Sequence, residues 1–160
     1  MDTREKILSR AGLHEVLDEH RRAGRKIVFA HGVFDVLHAG DVRYLAAARA
    51  EGDRLIVAVH SDAVARKLKG EGRPILTERA RAVLVAALAA VDYVILVDET
   101  DIKPLLREFQ PDVYACRCNQ DSNGADSELT ALGIRVAAIN LDSTHSTSDL
   151  IARVHQGMNG

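Results

Sequence analysis

Short runs of β-branched and other apolar residues alternate with longer helical segments, and this alternation constrains the fold more than any other feature. The predicted strands are 26–30, 55–59, 93–97, 113–115 and 134–139. They are apolar throughout, rather than at every second residue, which indicates burial on both faces. A helix between two such strands is the usual right-handed crossover of a parallel sheet. The sequence therefore predicts an α/β fold, a doubly wound Rossmann-like sheet of five parallel strands with helices on both faces.

The helical patterns also define the extent of the domain. They are predicted at 4–23, 42–51, 62–68, 77–90, 102–109 and 147–155, and the polar stretch 117–128 is the longest irregular segment. The 160 residues have the length of one ordinary domain. We therefore expect residues 1–160 to form a single domain in which 1–24 is a leading helical segment.

Charge and cysteine content exclude several classes of protein. A net charge of −2 argues against a dedicated binder of nucleic acid or of a membrane surface. The N-terminal MDTREKILSR lacks the apolar core of a signal peptide, and no apolar run approaches the roughly 20 residues that span a bilayer. Two cysteines, Cys116 and Cys118, are too few for a disulfide scaffold or a zinc site. We expect a cytoplasmic protein with no nucleic-acid or membrane partner.

The loop after the first predicted strand, residues 31–41, reads HGVFDVLHAGD and precedes a predicted helix. Ligands of doubly wound sheets bind beyond the carboxyl ends of the strands, and the start of a helix favours phosphate. Gly32 and Gly40 allow close approach of the backbone. The loop is neither a dinucleotide fingerprint nor a P-loop, because G-x-G-x-x-G and Gly-Lys-Ser/Thr are both absent.

The stretch GVFDVLHAG resembles the G-x-F-D-x-x-H-x-G-H signature of the HIGH-type nucleotidyltransferases. Within that superfamily the chain is similar to the heptose 1-phosphate adenylyltransferase domain of bacterial heptose biosynthesis proteins. The similarity covers most of the chain and includes the leading helix, 26–59, 67–70, Arg73-Pro74, 81–92 and 145–151.

This resemblance implies a transfer of AMP from ATP to a sugar 1-phosphate, with a heptose 1-phosphate expected, and release of pyrophosphate. It also implies Mg²⁺ as cofactor, ATP as substrate and a homodimer. A phosphate monoester has a second pKa of about 6, so the nucleophile is already largely dianionic at neutral pH. Such a reaction therefore needs positioning and fixed positive charge rather than a general base.

Carried over residue by residue, the resemblance assigns His38 and Lys69 as catalytic residues. Lys67 and Arg81 are expected to bind substrate or phosphate. The expected nucleotide-binding residues are Gly32, Val33, Phe34, Asp35, Gly40, Asp41, Ser146 and Thr147. No protein ligand to a metal is expected.

Several of these residues have an ordinary structural interpretation that the sequence leaves open. His38 could bond the backbone at a helix start, and Phe34 could pack rather than stack on a base. Asp35 could brace its own loop by accepting backbone N–H groups, which is the role slightly favoured.

The candidate residues farther along the chain carry alternatives of the same kind. Lys67, Lys69 and Arg73 form either a solvated charge run or a lid that brings cations over phosphates. Arg81 could simply pair with Glu78. The segment 146–149 reads as a capping box, although in the family this helix start holds nucleotide phosphates.

The chain departs from the signature at position 41, which is Asp where the family has a second histidine that contacts the triphosphate. A carboxylate there would repel the phosphates by about 4 kcal/mol at roughly 4 Å and an effective dielectric near 20. Asp41 could turn away and cap the helix, bind the Mg²⁺ that accompanies the nucleotide, or leave a weak site.

The segment 116–121 also differs from the family, which carries a glycine-rich turn at this place. The nucleobase and the acceptor therefore stay open. One alternative is a cytidylyltransferase acting on a small phosphorylated alcohol such as glycerol 3-phosphate. Another is a non-catalytic nucleotide-binding relative.

Overall fold

Five strands form one parallel sheet within residues 1–117, 126–140 and 147–158, the part of the chain that this computed structural model describes. The strands are β1 (Ile27–Gly32), β2 (Arg54–His60), β3 (Tyr93–Val97), β4 (Val113–Cys116) and β5 (Arg135–Ala138). Their order is β3-β2-β1-β4-β5, and each neighbouring pair is parallel. The predicted strand count and orientation are confirmed.

Helices connect the strands and cover both faces of the sheet. They are α1 (Arg10–Arg22), α2 (Ala39–Ala50), α3 (Asp62–Lys69), α4 (Glu78–Ala86), α5 (Lys103–Phe109), α6 (Ser127–Ala131) and α7 (Thr147–Met158). Helix α6 begins inside the stretch that was predicted to be irregular. It forms there because the side chain of Asp126 accepts hydrogen bonds from the N–H groups of Glu128 and Leu129 and caps the helix.

Successive residues of a strand enter different layers of the core. Val28 and Ala30 pack in the layer of α2 and α4, whereas Ile27 and Phe29 pack in the layer of α1 and α5. All four are at most 1% exposed. This double burial explains why the strands read as unbroken apolar runs, and the predicted doubly wound architecture is confirmed.

The leading segment differs from the prediction of one helix over 4–23. Helix α1 begins only at Arg10, after the Ser9 side chain accepts a hydrogen bond from the N–H of Gly12. Before it, Ile7 forms a parallel bridge with Val94 of the edge strand β3. The pairing satisfies backbone groups that an open sheet edge would expose, and it outweighs the local helical pattern.

The position of β1 fixes where a ligand can bind. Strand β2 lies on one side of β1 and β4 lies on the other, so the chain changes direction across the sheet at β1. The crevice beyond the carboxyl ends of β1 and β4 is therefore the switch point of the fold. Among the described residues, none of the helices combines the length and apolar character needed to cross a bilayer.

Candidate functional site

A cavity of about 480 Å³ opens at this switch point. Its volume lies within the usual range for small-molecule sites. The residues that line it are His31, Gly32, Val33, Phe34, Asp35, His38, Asp41, His60, Leu68, Lys69, Arg73, Cys116 and Arg117. They come from the carboxyl ends of β1, β2 and β4, from the β1–α2 loop (residues 33–38) and the first turn of α2, and from the end of α3 with the segment that follows it.

The β1–α2 loop turns back tightly on the end of β1. Phe34 adopts a positive φ of 52°, which is uncommon for a residue other than glycine, and it is 6% exposed. A Cβ atom on Gly32 would lie only 2.9 Å from the Phe34 ring. Gly32 is therefore needed to let the ring fold over the strand. Phe34 packs into the core, as the structural interpretation of this residue proposed.

Asp35 braces the site. Its carboxylate accepts hydrogen bonds from the N–H of Ile75 at 2.8 Å and from the N–H of Leu76 at 3.0 Å. It also accepts one from Arg73 Nε at 2.8 Å. Burial alone would raise the pKa of Asp35, but the two N–H groups and Arg73 outweigh it and lower the pKa. The ionised carboxylate thus ties the segment 73–76 to the β1–α2 loop, which supports the bracing role.

His38 is the N-cap residue of α2 and faces the cavity. Its Nδ1 accepts a hydrogen bond from the N–H of Gly40 at 3.1 Å. A neutral ring that accepts at Nδ1 carries its proton on Nε2, and Nε2 lies 3.3 Å from Asp41 Oδ2. His38 therefore both caps the backbone at the start of α2 and lines the cavity. Gly40 lies in the first turn of α2 and serves this cap rather than lining the cavity.

Asp41 caps the helix, which is one of the three roles left open by the sequence. Its Oδ2 accepts from the N–H of His38 at 3.2 Å, and the two residues form a capping box. Its Oδ1 lies 2.5 Å from Nη2 of Arg117. The side chain of Asp41 is only 4% exposed, so a guanidinium neutralises a buried carboxylate within the cavity wall.

Arg117 is a site residue that sequence reasoning missed, as it missed His31. It follows β4 directly, and its guanidinium carbon lies 4.3 Å from the centre of the Tyr44 ring. Tyr44 is held in turn by a hydrogen bond from its hydroxyl to the carbonyl oxygen of Ala115 at 2.8 Å. Its position in the sequence could have identified Arg117, because it is a cation immediately beyond the carboxyl end of a buried strand.

The structure separates the two lysines of α3. Lys69, the last residue of the helix, lines the cavity together with Leu68. Lys67 is exposed on the same helix and is not part of the cavity lining. Arg73 also lines the cavity, although its guanidinium is paired with Asp35. Of the predicted lysines, therefore, only Lys69 is placed to reach a ligand.

Arg81 does not face the cavity, so the expected contact with substrate is not made from this position. Its side chain is fully buried, and its guanidinium donates to the carbonyl oxygens of Leu76, Val33 and His60 and to Asp62 Oδ1. These distances are 2.6–3.0 Å. Nor does Arg81 pair with Glu78, which instead accepts from the N–H of Asp62. Arg81 ties β1, β2 and α4 together beneath the site.

Two histidines form the floor of the cavity. His31 Nδ1 lies 3.0 Å from His60 Nε2, and His31 Nε2 lies 2.8 Å from the hydroxyl of Tyr114. Burial, followed by the charges of His60 and Arg117, lowers the pKa of His31 to about 4. Burial is also the main cause that lowers the pKa of His60. Both rings are therefore neutral at physiological pH and act as hydrogen-bonding groups.

Two predicted nucleotide-binding residues fall at the start of α7. Ser146 lies outside the described residues, and Thr147 is the first residue of the helix, with a side chain that also lies outside them. Their expected contact with phosphate stays a prediction.

The carboxylates at the cavity already have protein partners. Within the described residues, no group of three or more His, Cys, Asp and Glu side chains is placed to hold a metal ion. Asp35 and Asp41 line the cavity, but each is engaged by an arginine and by backbone N–H groups. The cationic side chains among the described residues of the lining are Lys69, Arg73 and Arg117.

Comparison with known proteins points to the same chemistry. A family model described as cytidylyltransferase-like matches residues 29–153. A protein of Wolinella succinogenes named bifunctional protein HldE is 49% identical over 153 residues, which is 96% of this chain and 32% of that protein. The protein of the same name from Rhodopseudomonas palustris is 43% identical over 156 residues, again 96% of this chain and 32% of its own length. The chain thus spans about a third of these curated relatives.

A solved structure is also similar. The lipopolysaccharide core biosynthesis protein from Thermoplasma volcanium superposes with a TM-score of 0.63 and 29% sequence identity. The match covers 75% of this chain and 100% of that one. The family match, over residues 29–153, includes all the residues that line the cavity.

Proposed function

Because the chain belongs to the cytidylyltransferase-like family of nucleotidyltransferases, we propose that it transfers AMP from ATP to a heptose 1-phosphate and releases pyrophosphate. The observation that carries this proposal is the cavity beyond β1, where His38 at the start of α2 and Lys69 at the end of α3 face the same space. We assign both as catalytic residues. The remaining expected phosphate contacts, Ser146 and Thr147, stay part of the proposal.

The arrangement suits a reaction between two polyanions. The sugar phosphate oxygen attacks the α-phosphorus of ATP in line, and the bond from that phosphorus to the oxygen bridging to the β-phosphate breaks. His38 lies at the start of α2 within the cavity lining, and we propose that its ring donates a hydrogen bond to a phosphate oxygen as charge builds on it. Lys69 adds a fixed positive charge, and the N-terminus of α2 adds the partial positive charge of its dipole.

The acceptor is inferred from the relatives. The solved neighbour carries a name that refers to lipopolysaccharide core biosynthesis, and this supports a phosphorylated sugar as the second substrate. The relatives named HldE support the same assignment through the resemblance to heptose biosynthesis proteins. Because the family description is cytidylyltransferase-like, CTP with glycerol 3-phosphate is the alternative substrate pair to test.

Magnesium enters the proposal with the nucleotide. The cavity carboxylates are engaged by protein donors, and Mg²⁺ in nucleotide sites is bound largely by substrate phosphates and water. We therefore write the substrate as MgATP and assign no resident metal ligands. We further propose that residues 1–160 act as one domain, in a cytoplasmic homodimer.

Release of pyrophosphate tests the function directly. The chain is incubated with MgATP or MgCTP and with heptose 1-phosphate, other sugar 1-phosphates or glycerol 3-phosphate. We expect turnover with ATP and heptose 1-phosphate, and a loss of about 10²- to 10³-fold in kcat for His38→Ala. His14→Ala is the matched control, because His14 is a partly exposed histidine on α1 and is absent from the cavity lining. No turnover with any pair would contradict the proposal.

A further inference from the structure

Asp41 is a buried carboxylate at the cavity, and its charge is compensated by a residue distant in the sequence. A buried carboxylate is costly unless it is paired, and an unpaired one at the cavity would repel a triphosphate. Its partner is Arg117, which stands 76 residues later in the chain and directly after β4. The pair replaces the single histidine that the family signature has at position 41.

Among the described residues, Arg117 donates a hydrogen bond to Asp41 alone, which leaves further N–H donors for a ligand. A guanidinium carries five N–H donors, and Asp41 Oδ1 engages the group through Nη2. The side chain stays 43% exposed and lines the cavity, whereas Asp41 is 4% exposed. Both residues line the cavity, but the guanidinium is far more exposed than the carboxylate, so the cation is the member of the pair that a ligand would meet first.

The guanidinium is also held in place before any ligand arrives. It lies 4.3 Å from the centre of the Tyr44 ring and 5.8 Å from the centre of the Phe34 ring. Both rings are buried, at 1% and 6% exposure. An arginine fixed by an ion pair and by ring contacts loses little freedom when it binds phosphate, and its planar fork matches two phosphate oxygens.

We infer that Arg117 contacts the triphosphate of the nucleotide and that Asp41 is its positioning residue. The inference rests on the proposed function, since it assigns a further phosphate-binding residue to that same site. Asp41 keeps its hydrogen bond from the N–H of His38 and orients Arg117, while the exposed donors of Arg117 bind phosphate oxygens. The two residues together take the place of the second histidine of the signature.

A double-mutant cycle tests this arrangement through the sign of the coupling between Arg117 and Asp41 in ATP binding. Calorimetric titration with MgATP is carried out on the whole chain and on Arg117→Gln, Asp41→Asn and the double variant. We expect Arg117→Gln to weaken ATP binding by about ten- to a hundredfold, because it removes a charged contact and leaves Asp41 uncompensated. The double variant should recover about tenfold of that loss, since the repelling carboxylate is gone.

Comparison of ligands separates phosphate binding from a structural role. AMP lacks the β- and γ-phosphates, so Arg117→Gln should change AMP binding far less than ATP binding. Inorganic tripolyphosphate should compete with ATP on the parent chain and compete poorly on the variant. Arg117→Lys should restore part of the ATP affinity. Asp41→Asn alone keeps a capping oxygen but loses the charge that holds Arg117, so it should weaken ATP binding less than Arg117→Gln does.

Arg135→Gln is the matched control. Arg135 Nη2 pairs with Glu51 Oε2 at 2.6 Å, and its side chain is 53% exposed at the start of β5, outside the cavity lining. Its removal should leave ATP binding unchanged. Thermal unfolding of every variant checks that the fold is intact.

The outcomes distinguish this inference from the proposed function. If Arg117→Gln leaves ATP affinity and turnover intact while His38→Ala abolishes turnover, the function stands and the role of Arg117 is overturned. If the double variant binds ATP no better than Arg117→Gln, or if ATP and AMP binding fall equally, the inference is likewise overturned. If the cycle behaves as expected but no acceptor is turned over, Arg117 is supported and the heptose acceptor is wrong. A parent chain that binds no triphosphate overturns both.

Discussion

Two arginines, Arg81 buried beneath the cavity and Arg117 in the cavity lining, show how burial decides what a cation does. Arg81, between α4 and the ends of β1 and β2, is fully buried and donates to three carbonyl oxygens and one carboxylate. Arg117, at the end of β4, is 43% exposed and shares its charge with Asp41. The first arginine holds the walls together, and the second presents charge to the cavity. The same residue type therefore stabilises the fold beneath the cavity and, in our proposal, binds the ligand within it.

The largest expected effect is on stability, from Arg81→Leu. This change leaves the carbonyl oxygens of Val33 and His60 buried without their donor and removes the partner of Asp62. We expect a loss of about 3–5 kcal/mol in the free energy of unfolding. Urea denaturation followed by circular dichroism measures it, with Arg81→Lys as a milder variant that keeps the charge. A loss below about 1 kcal/mol would contradict the bracing role.

The two histidines at the floor of the cavity should make the free energy of unfolding depend on pH. His31 has a pKa of about 4 in the folded protein against 6.5 ordinarily, so between these values only the unfolded chain binds the proton. Stability is fully present above the unfolded value and falls as the pH is lowered through this window, by up to about 3 kcal/mol.

Urea denaturation between pH 7.5 and pH 4 measures this dependence. The lowered pKa of His60 acts in the same direction. His31→Gln carries no titrating ring, so its curve should be flatter over the same range. An unchanged slope in His31→Gln would show that other groups cause the acid sensitivity.

The fold was readable from the sequence because its determinants are local and repetitive. Val28 and Phe29 face opposite layers, and such runs at five places predict a doubly buried parallel sheet. The resemblance to the HIGH-type nucleotidyltransferases is confirmed by the family match and by the relatives. The edge pairing of Ile7 was missed because its partner, Val94, is distant in sequence and no local pattern encodes it.

The site was harder to predict because its decisive contacts are long-range. Local spacing suggested a pair between Arg81 and Glu78, but the guanidinium reaches Val33, 48 residues away. The charge of Asp41 looked unfavourable on its own, and its compensation lies 76 residues away in Arg117. The sequence could identify the loop that forms the cavity. It could not show which arginines use their N–H donors on partners within the protein.

Two exposed lysines on one helix differ in whether they line the cavity. Lys69 lines the cavity and Lys67 does not, although they lie two residues apart on α3. Lys69→Ala should lower kcat/KM for ATP by about tenfold to a hundredfold, because it removes one charged contact to phosphate. Lys67→Ala is the control and should change it less than about threefold. Equal losses in both variants would indicate a general electrostatic effect.

The smallest expected effect is the change in stability of Arg117→Gln. Its side chain is partly exposed and the glutamine amide can still donate to Asp41, so the loss should be only about 1 kcal/mol, well below that of Arg81→Leu. The charge of Arg117 contributes to the low pKa of His31, so the variant should raise that pKa slightly. NMR titration of the His31 ring measures this shift. An unchanged titration would mean that Arg117 does not point its charge toward the cavity floor, and the contrast between the two arginines would then rest on exposure alone.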